Sequence, residues 1–184
     1  SSSTYSTGTG IVVTSDGYIV TNAHVVAGAS QVRVILWDNE VLDASLVGFD
    51  AEEDLAVLKI EAEGLTPAEF GDSSSLRIGD PVAALGDPLG YRSTITDGII
   101  SALDREVEVD GVTMVLIQTS AAINFGNSGG ALINQYGQVV GVTTIKIVTD
   151  EGSAEALGFA IPSTRVKYVV DTLIAGGEIR SGVF

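Results

Sequence analysis

Gly126-Asn127-Ser128-Gly129-Gly130 is the segment of this 184-residue sequence whose residue types most clearly suit chemistry. Glycines around a serine allow a tight turn that exposes the hydroxyl and aims backbone N–H groups at one point. Attack on a carbonyl needs that combination, a nucleophile with fixed donors for the developing oxyanion. The same five residues also suit an ordinary Gly/Ser/Asn turn between Ile123 and Leu132. A serine nucleophile requires a base, and His24 is the only histidine. It lies at the end of an apolar strand, in Thr21-Asn22-Ala23-His24-Val25-Val26, where a lone histidine is more often structural. For an aspartate to orient it, the chain offers Asp38, Asp43, Asp50, Asp54 and several beyond residue 70. Asp54 opens the run Asp54-Leu55-Ala56-Val57-Leu58-Lys59-Ile60, and an acid followed at once by apolar residues is drawn against the core. Asp50, Glu52 and Glu53 read instead as solvated charge in a polar turn.

Chain order discriminates between serine chemistries. Gly-x-Ser-x-Gly also fits the nucleophile elbow of α/β-hydrolases, but there the histidine follows the serine, and none follows Ser128. A subtilisin-like order needs an aspartate before the histidine, and Asp16, in a Ser-Asp-Gly turn, is a poor candidate. Histidine early, aspartate next and serine late is the chymotrypsin-type order, which favours a two-barrel protease.

Composition narrows the partners. Nine basic against 24 acidic residues give a net charge of −15, repelled by phosphate backbones and anionic lipid surfaces. No nucleic-acid partner is therefore expected. The absence of cysteine removes disulfides, thiol catalysis and Cys-ligated zinc, and the single histidine excludes a multi-histidine metal site. The expectation is no cofactor and no metal. No stretch approaches the ~18 apolar residues of a membrane span. The polar start Ser1-Ser2-Ser3-Thr4-Tyr5-Ser6-Thr7 lacks a signal pattern.

The elements that must position these residues read as all-β. Strands are expected over residues 11–14, 18–21, 31–37, 41–49, 55–60, 82–85, 94–103, 112–118, 131–133, 139–148 and 157–161, with Asp110-Gly111 as a hairpin signal. Residues 63–80, rich in Gly, Pro and Ser, read as a link between two halves. Ser163 after Pro162 is the expected cap of a closing helix. Its stripe Val166, Val169, Val170, Leu173 and Ile174 stops at Gly176-Gly177. The expected division is 1–66, first barrel half; 67–162, second half; 163–176, helix.

In order along the chain, several segments resemble the HtrA/Deg-type serine proteases. Gly8–Val13 and Asp16–Val26 look like their histidine segment, Asp54–Lys59 like their aspartate segment, and Ala121–Gly130 like their nucleophile loop. Residues 79–90 and residues 94–105 are similar to their central strands, and Gly158–Ser163 to their closing strand and helix cap. The resemblance implies a chymotrypsin/trypsin-like double six-stranded β-barrel with a C-terminal helix and a cleft between halves. It implies His24 as general base, Asp54 as its orienter and Ser128 as nucleophile. The backbone N–H groups of Gly126 and Ser128 become the oxyanion hole. Ile123, Asn124, Thr144, Ile145 and Lys146 become the walls of the specificity pocket. An alternating strand residue points to solvent, and that is the preferred expectation for Lys146; the other is a preference for acidic substrate residues. The implied function is endoproteolysis of unfolded or misfolded polypeptides through an acyl-enzyme. The alternative is a catalytically idle, chaperone-like polypeptide-binding domain.

Asn127 stands where digestive relatives carry an aspartate that pairs with a cut N-terminus, so loops rather than clipping are expected to govern activity, specifically residues 104–112 and 149–157. Ser120 replaces the acid usual before Ala121-Ala122, and Asp87 the usual asparagine. The family's first helix and strand have no counterpart before Gly8, so the first barrel is expected to lack its N-terminal strand. A homotrimer, an extracytoplasmic location, and a PDZ domain or membrane anchor outside these residues complete what the resemblance implies.

Overall fold

Apolar and polar residues alternate over short runs bounded by turn residues, and two antiparallel sheets result. The computed structural model describes residues 4–87, 93–150 and 153–177; Pro88, Leu89 and Gly90 of the expected central segment lie outside them. The first sheet holds β1 (Ile11–Val12), β2 (Tyr18–Thr21), β3 (Val32–Ile35), β4 (Val41–Asp50) and β5 (Leu55–Ile60), in the order β1-β2-β5-β4-β3. It thus has five strands among the described residues. The turn from β1 into β2 needs Gly17. Its φ is 107°, and a Cβ there would sit 2.3 Å from the Ile60 carbonyl oxygen.

β6 (Pro81–Gly86), β7 (Thr94–Val109), β8 (Val112–Thr119), β9 (Ala131–Ile133), β10 (Val139–Asp150) and β11 (Ser153–Pro162) close a six-stranded barrel, in the order β10-β11-β8-β7-β6-β9. Val82, Ala84, Ile100, Ile117, Leu132, Val140 and Ala160 fill part of its interior. The 63–80 link contains one short helical turn, at Ser73–Ser75, and is tied to both sheets. Ala68 N–H donates to Val12, and Gly71 N–H to Val139.

Alternate residues of β5 serve two cores. Leu58 and Ile60 pack with Ile19 inside the first half, while Leu55 and Val57 join a cluster with Leu116, Phe159 and Ile161 of the barrel. The closing helix, α2 (Ser163–Ile174), buries Val166, Val169, Val170 and Leu173 in that shared cluster. It therefore bridges the two sheets. Pro162, not Ser163, occupies the cap position. Ser163 is the first helical residue, buried, with its hydroxyl donating to the Gly71 carbonyl and accepting from Ser73 N–H.

Two expected loops are strands. β7 runs on to Val109 because Val107 reaches the shared core beside Met114, so residues 104–112 form a hairpin turning at Asp110-Gly111, both at positive φ. β10 and β11 likewise pair from Gly141↔Pro162 to Asp150↔Ser153, so the described residues of 149–157 are strand, and 151 and 152 lie outside the described residues. Asp50 is also not the solvated charge expected. It is 5% exposed and accepts the N–H groups of Glu52 and Glu53, an arrangement that shapes the turn before Asp54.

Candidate active site

β2 ends at Thr21, paired with Ala56, so the residues that follow it meet the start of β5. One helical turn, α1 (Ala23–Val26), then presents His24. Asp54 receives it from a left-handed backbone conformation, φ 54°. Such strain costs about 1 kcal/mol or more, and the hydrogen bonds around the residue offset it. Ala23 N–H and the Asn22 amide donate to its carbonyl at 3.0 and 3.3 Å. Its carboxylate takes the His24 backbone N–H on Oδ1 at 3.0 Å and lies 2.7 Å from His24 Nδ1 through Oδ2.

Burial opposes ionisation of the Asp54 carboxyl. The His24 side-chain bond, the Lys146 charge, the His24 charge and the His24 N–H outweigh it and hold the group below the usual carboxylate range. The imidazole is half exposed, whereas the Asp54 side chain is nearly covered. A carboxylate on Nδ1 fixes the ring so that Nε2 is left for proton transfer.

Ser128 comes from the opposite sheet. Its turn is held by reciprocal amide bonds: Asn124 Oδ1 accepts from Gly126 and Asn127 N–H, and Asn127 Oδ1 accepts from Asn124 N–H. The segment before β1 sutures the turn, with Thr9 Oγ1 donating to the Gly126 carbonyl and Thr9 N–H to that of Ser128. Gly129, at φ 87°, lies where a Cβ would be 2.3 Å from the Thr9 carbonyl oxygen.

The structure brings His24 and Asp54 into contact, and places the other expected groups apart from that pair or on other partners. The Ser128 hydroxyl, on a residue only 3% exposed, donates to Asn22 Oδ1 at 2.9 Å rather than to the imidazole. Gly126 N–H and Ser128 N–H are both engaged by Asn124, at Oδ1 and the carbonyl oxygen, 2.9 and 3.0 Å away. The turn satisfies its own donors. Of the expected pocket walls, Ile145 stands opposite Gly158, and Ile123 Cγ1 lies 2.8 Å from where a Gly158 Cβ would be. Thr144 is fully buried. Lys146 does not point to solvent. Its side chain is 12% exposed and its Nζ lies 3.3 Å from Asp54 Oδ2, because the carboxylate draws it across the cleft.

Asn22 is the residue that sequence reasoning missed. Fully buried, it touches Ser128 through Oδ1 and the Asp54 backbone through Nδ2. The only available signal was an amide placed two residues before the histidine.

The description "Trypsin-like peptidase domain" matches residues 8–142. The chain belongs to that family. Within the trypsin-like peptidases its relatives are of HtrA type. It is 48% identical to a probable periplasmic serine endoprotease, DegP-like, of Chlamydia trachomatis, over 95% of this chain and 35% of that protein. It is 49% identical to the serine protease Do-like HtrB of Bacillus subtilis, over 88% of this chain and 36% of that one. The chain thus spans about a third of the length of these curated relatives. The solved HtrA-type protease AlgW with tripeptide superposes with a TM-score of 0.83 at 42% identity, covering 94% of this chain and 57% of that one. The double-barrel fold is that of this family.

Proposed function

We propose that the chain is the catalytic part of a serine endopeptidase acting on unfolded or misfolded polypeptides. The observation that carries this is the 2.7 Å His24–Asp54 contact, with a glycine-flanked serine from the other sheet hydrogen-bonded to Asn22, two residues before His24. In this reading Ser128 Oγ gives its proton to His24 Nε2 as it bonds to the scissile carbonyl carbon, whose π pair moves onto oxygen. Collapse breaks the C–N bond, and the imidazolium returns the proton to the leaving amine. Water then attacks the acyl-enzyme, giving one proton to His24, and the ester bond breaks as Ser128 Oγ regains it.

Two rearrangements precede attack: Ser128 Oγ turns from Asn22 toward His24, and Gly126 and Ser128 N–H leave Asn124 for the oxyanion. The acid before Ala121 is not needed to anchor this loop, since Ser120 Oγ accepts Ile99 N–H at 3.0 Å. An extracytoplasmic location and a homotrimer are proposed on kinship alone, the relatives including a protein named as periplasmic.

A fluorophosphonate probe tests the reading. The wild type takes the label, Ser128→Ala does not, and hydrolysis of an unfolded protein falls by about 10⁶-fold in the variant. A wild type that binds unfolded protein without labelling would replace the protease with the polypeptide-binding alternative.

A further inference from the structure

Lys146 enters the cleft from β10 and places Nζ 3.3 Å from Asp54 Oδ2, the same oxygen that lies 2.7 Å from His24 Nδ1. Both side chains of the Lys146–Asp54 pair are largely covered, at 12% and 9% exposure, so water screens the contact weakly. Asp54 Oδ1 is occupied by the His24 backbone N–H. One carboxylate oxygen therefore serves an ammonium and an imidazole together.

Three of the other charged groups near the Asp54 turn are engaged elsewhere, and the fourth is exposed. Glu53 pairs with Arg165 of α2, Asp50 accepts N–H groups of its own turn, Glu52 is exposed, and Lys59, farther along β5, donates to the Ile60 carbonyl. Among the described residues, Lys146 is the lysine or arginine that reaches the carboxylate.

We propose that Lys146 is a positioning residue that restrains His24 by sharing the Asp54 carboxylate. The inference rests on the protease reading of the site. An aspartate strengthens a histidine base by stabilising the imidazolium that forms in the transition state. An ammonium on the same oxygen cancels part of that field, so the imidazole takes a proton less readily. Lys146 thus acts against proton uptake while it remains on Asp54. Any movement of β10 that draws Nζ away makes His24 a stronger base without touching His24 or Ser128.

The single histidine makes the test direct, because the imidazole proton resonances in NMR belong to His24 alone. Lys146→Met is expected to raise the midpoint of the His24 titration by about one pH unit. The acidic limb of the kcat/KM profile moves up by the same amount, and Lys146→Arg restores the wild-type positions. Lys146→Gln, smaller and polar, gives the same shift should the methionine variant fold poorly; thermal unfolding checks both. An unmoved or lowered midpoint in a folded variant overturns the inference, even if activity falls. A moved midpoint in a protein whose Ser128 never labels leaves the charge-sharing intact and removes the protease reading instead.

Discussion

His24 and Asp54 are fixed by sheet pairing: β2 and β5 lie in register from Tyr18↔Lys59 to Thr21↔Ala56, and His24 follows the first of those strands while Asp54 immediately precedes the second. Ser128 is fixed by a turn whose N–H groups bond to Asn124 a few residues away. The first arrangement has many long-range ladder bonds behind it. The second depends on bonds within the turn and on Thr9 and Thr143, and its Gly126 and Ser128 N–H groups have Asn124 as their acceptor. The His24 side of the cleft is accordingly built by sheet pairing, while the Ser128 side carries N–H groups whose acceptors can be exchanged. Substitutions that strike one side and spare the other are the way to break this contrast.

Gly129→Ala is expected to strike hardest. A side chain at φ 87° meets the Thr9 carbonyl, so stability falls by about 1–3 kcal/mol. Displacing Ser128 by even ~1 Å lowers kcat/KM by about 10²-fold. The His24–Asp54 hydrogen bond should be kept, since both of these residues belong to the other sheet. Urea unfolding, peptide hydrolysis and NMR on one preparation check the three statements. Loss of that bond would mean that the two sides are not separately built.

Asn124→Ala acts on the turn more gently. It removes the Oδ1 acceptor of Gly126 and Asn127 N–H, leaving the Ser128 N–H bond to the backbone carbonyl in place. Hydrogen exchange should speed by roughly tenfold at those two amides, consistent with losing a bond of about 1 kcal/mol, with Ala23 and His24 amides unchanged. Equal exchange in variant and wild type would show that the turn is held by Thr9 and Thr143 rather than by Asn124.

How far the sequence discloses this site follows the same division. The β5 run 55–60 is apolar enough to announce a buried strand, and it is observed over those residues. His24 and Ser128 stand out in the sequence because one histidine fixes the chain order. What escaped depends on who lies across the cleft. Lys146 obeys strand alternation locally, yet a carboxylate from the other sheet draws it in. Asn22 looks like any polar residue at a strand end until Ser128, 106 positions away, meets it. Asp50 and the extension of β7 to Val109 were hidden for a similar reason, because burial is decided by neighbours distant in sequence. Local propensity has no access to such contacts.

The smallest effect concerns acid. Asp54 is held below its ordinary range, burial opposing ionisation while His24 and Lys146 favour it more. Asp72, fully exposed, is lowered too, by the side-chain and backbone hydrogen bonds of Ser74. A carboxyl whose folded value lies below its unfolded value of about 3.9 stabilises the fold above that pH and loses the contribution as pH falls through the folded value. Wild-type urea midpoints should therefore decline as the pH is lowered below about 4. Asp54→Asn should flatten that decline more than Asp72→Asn, because solvent screens the exposed carboxylate and barely reaches the covered one. Equal flattening would place the two ion environments on the same footing, and the covered cleft around Asp54 would then not be what holds the His24 side together.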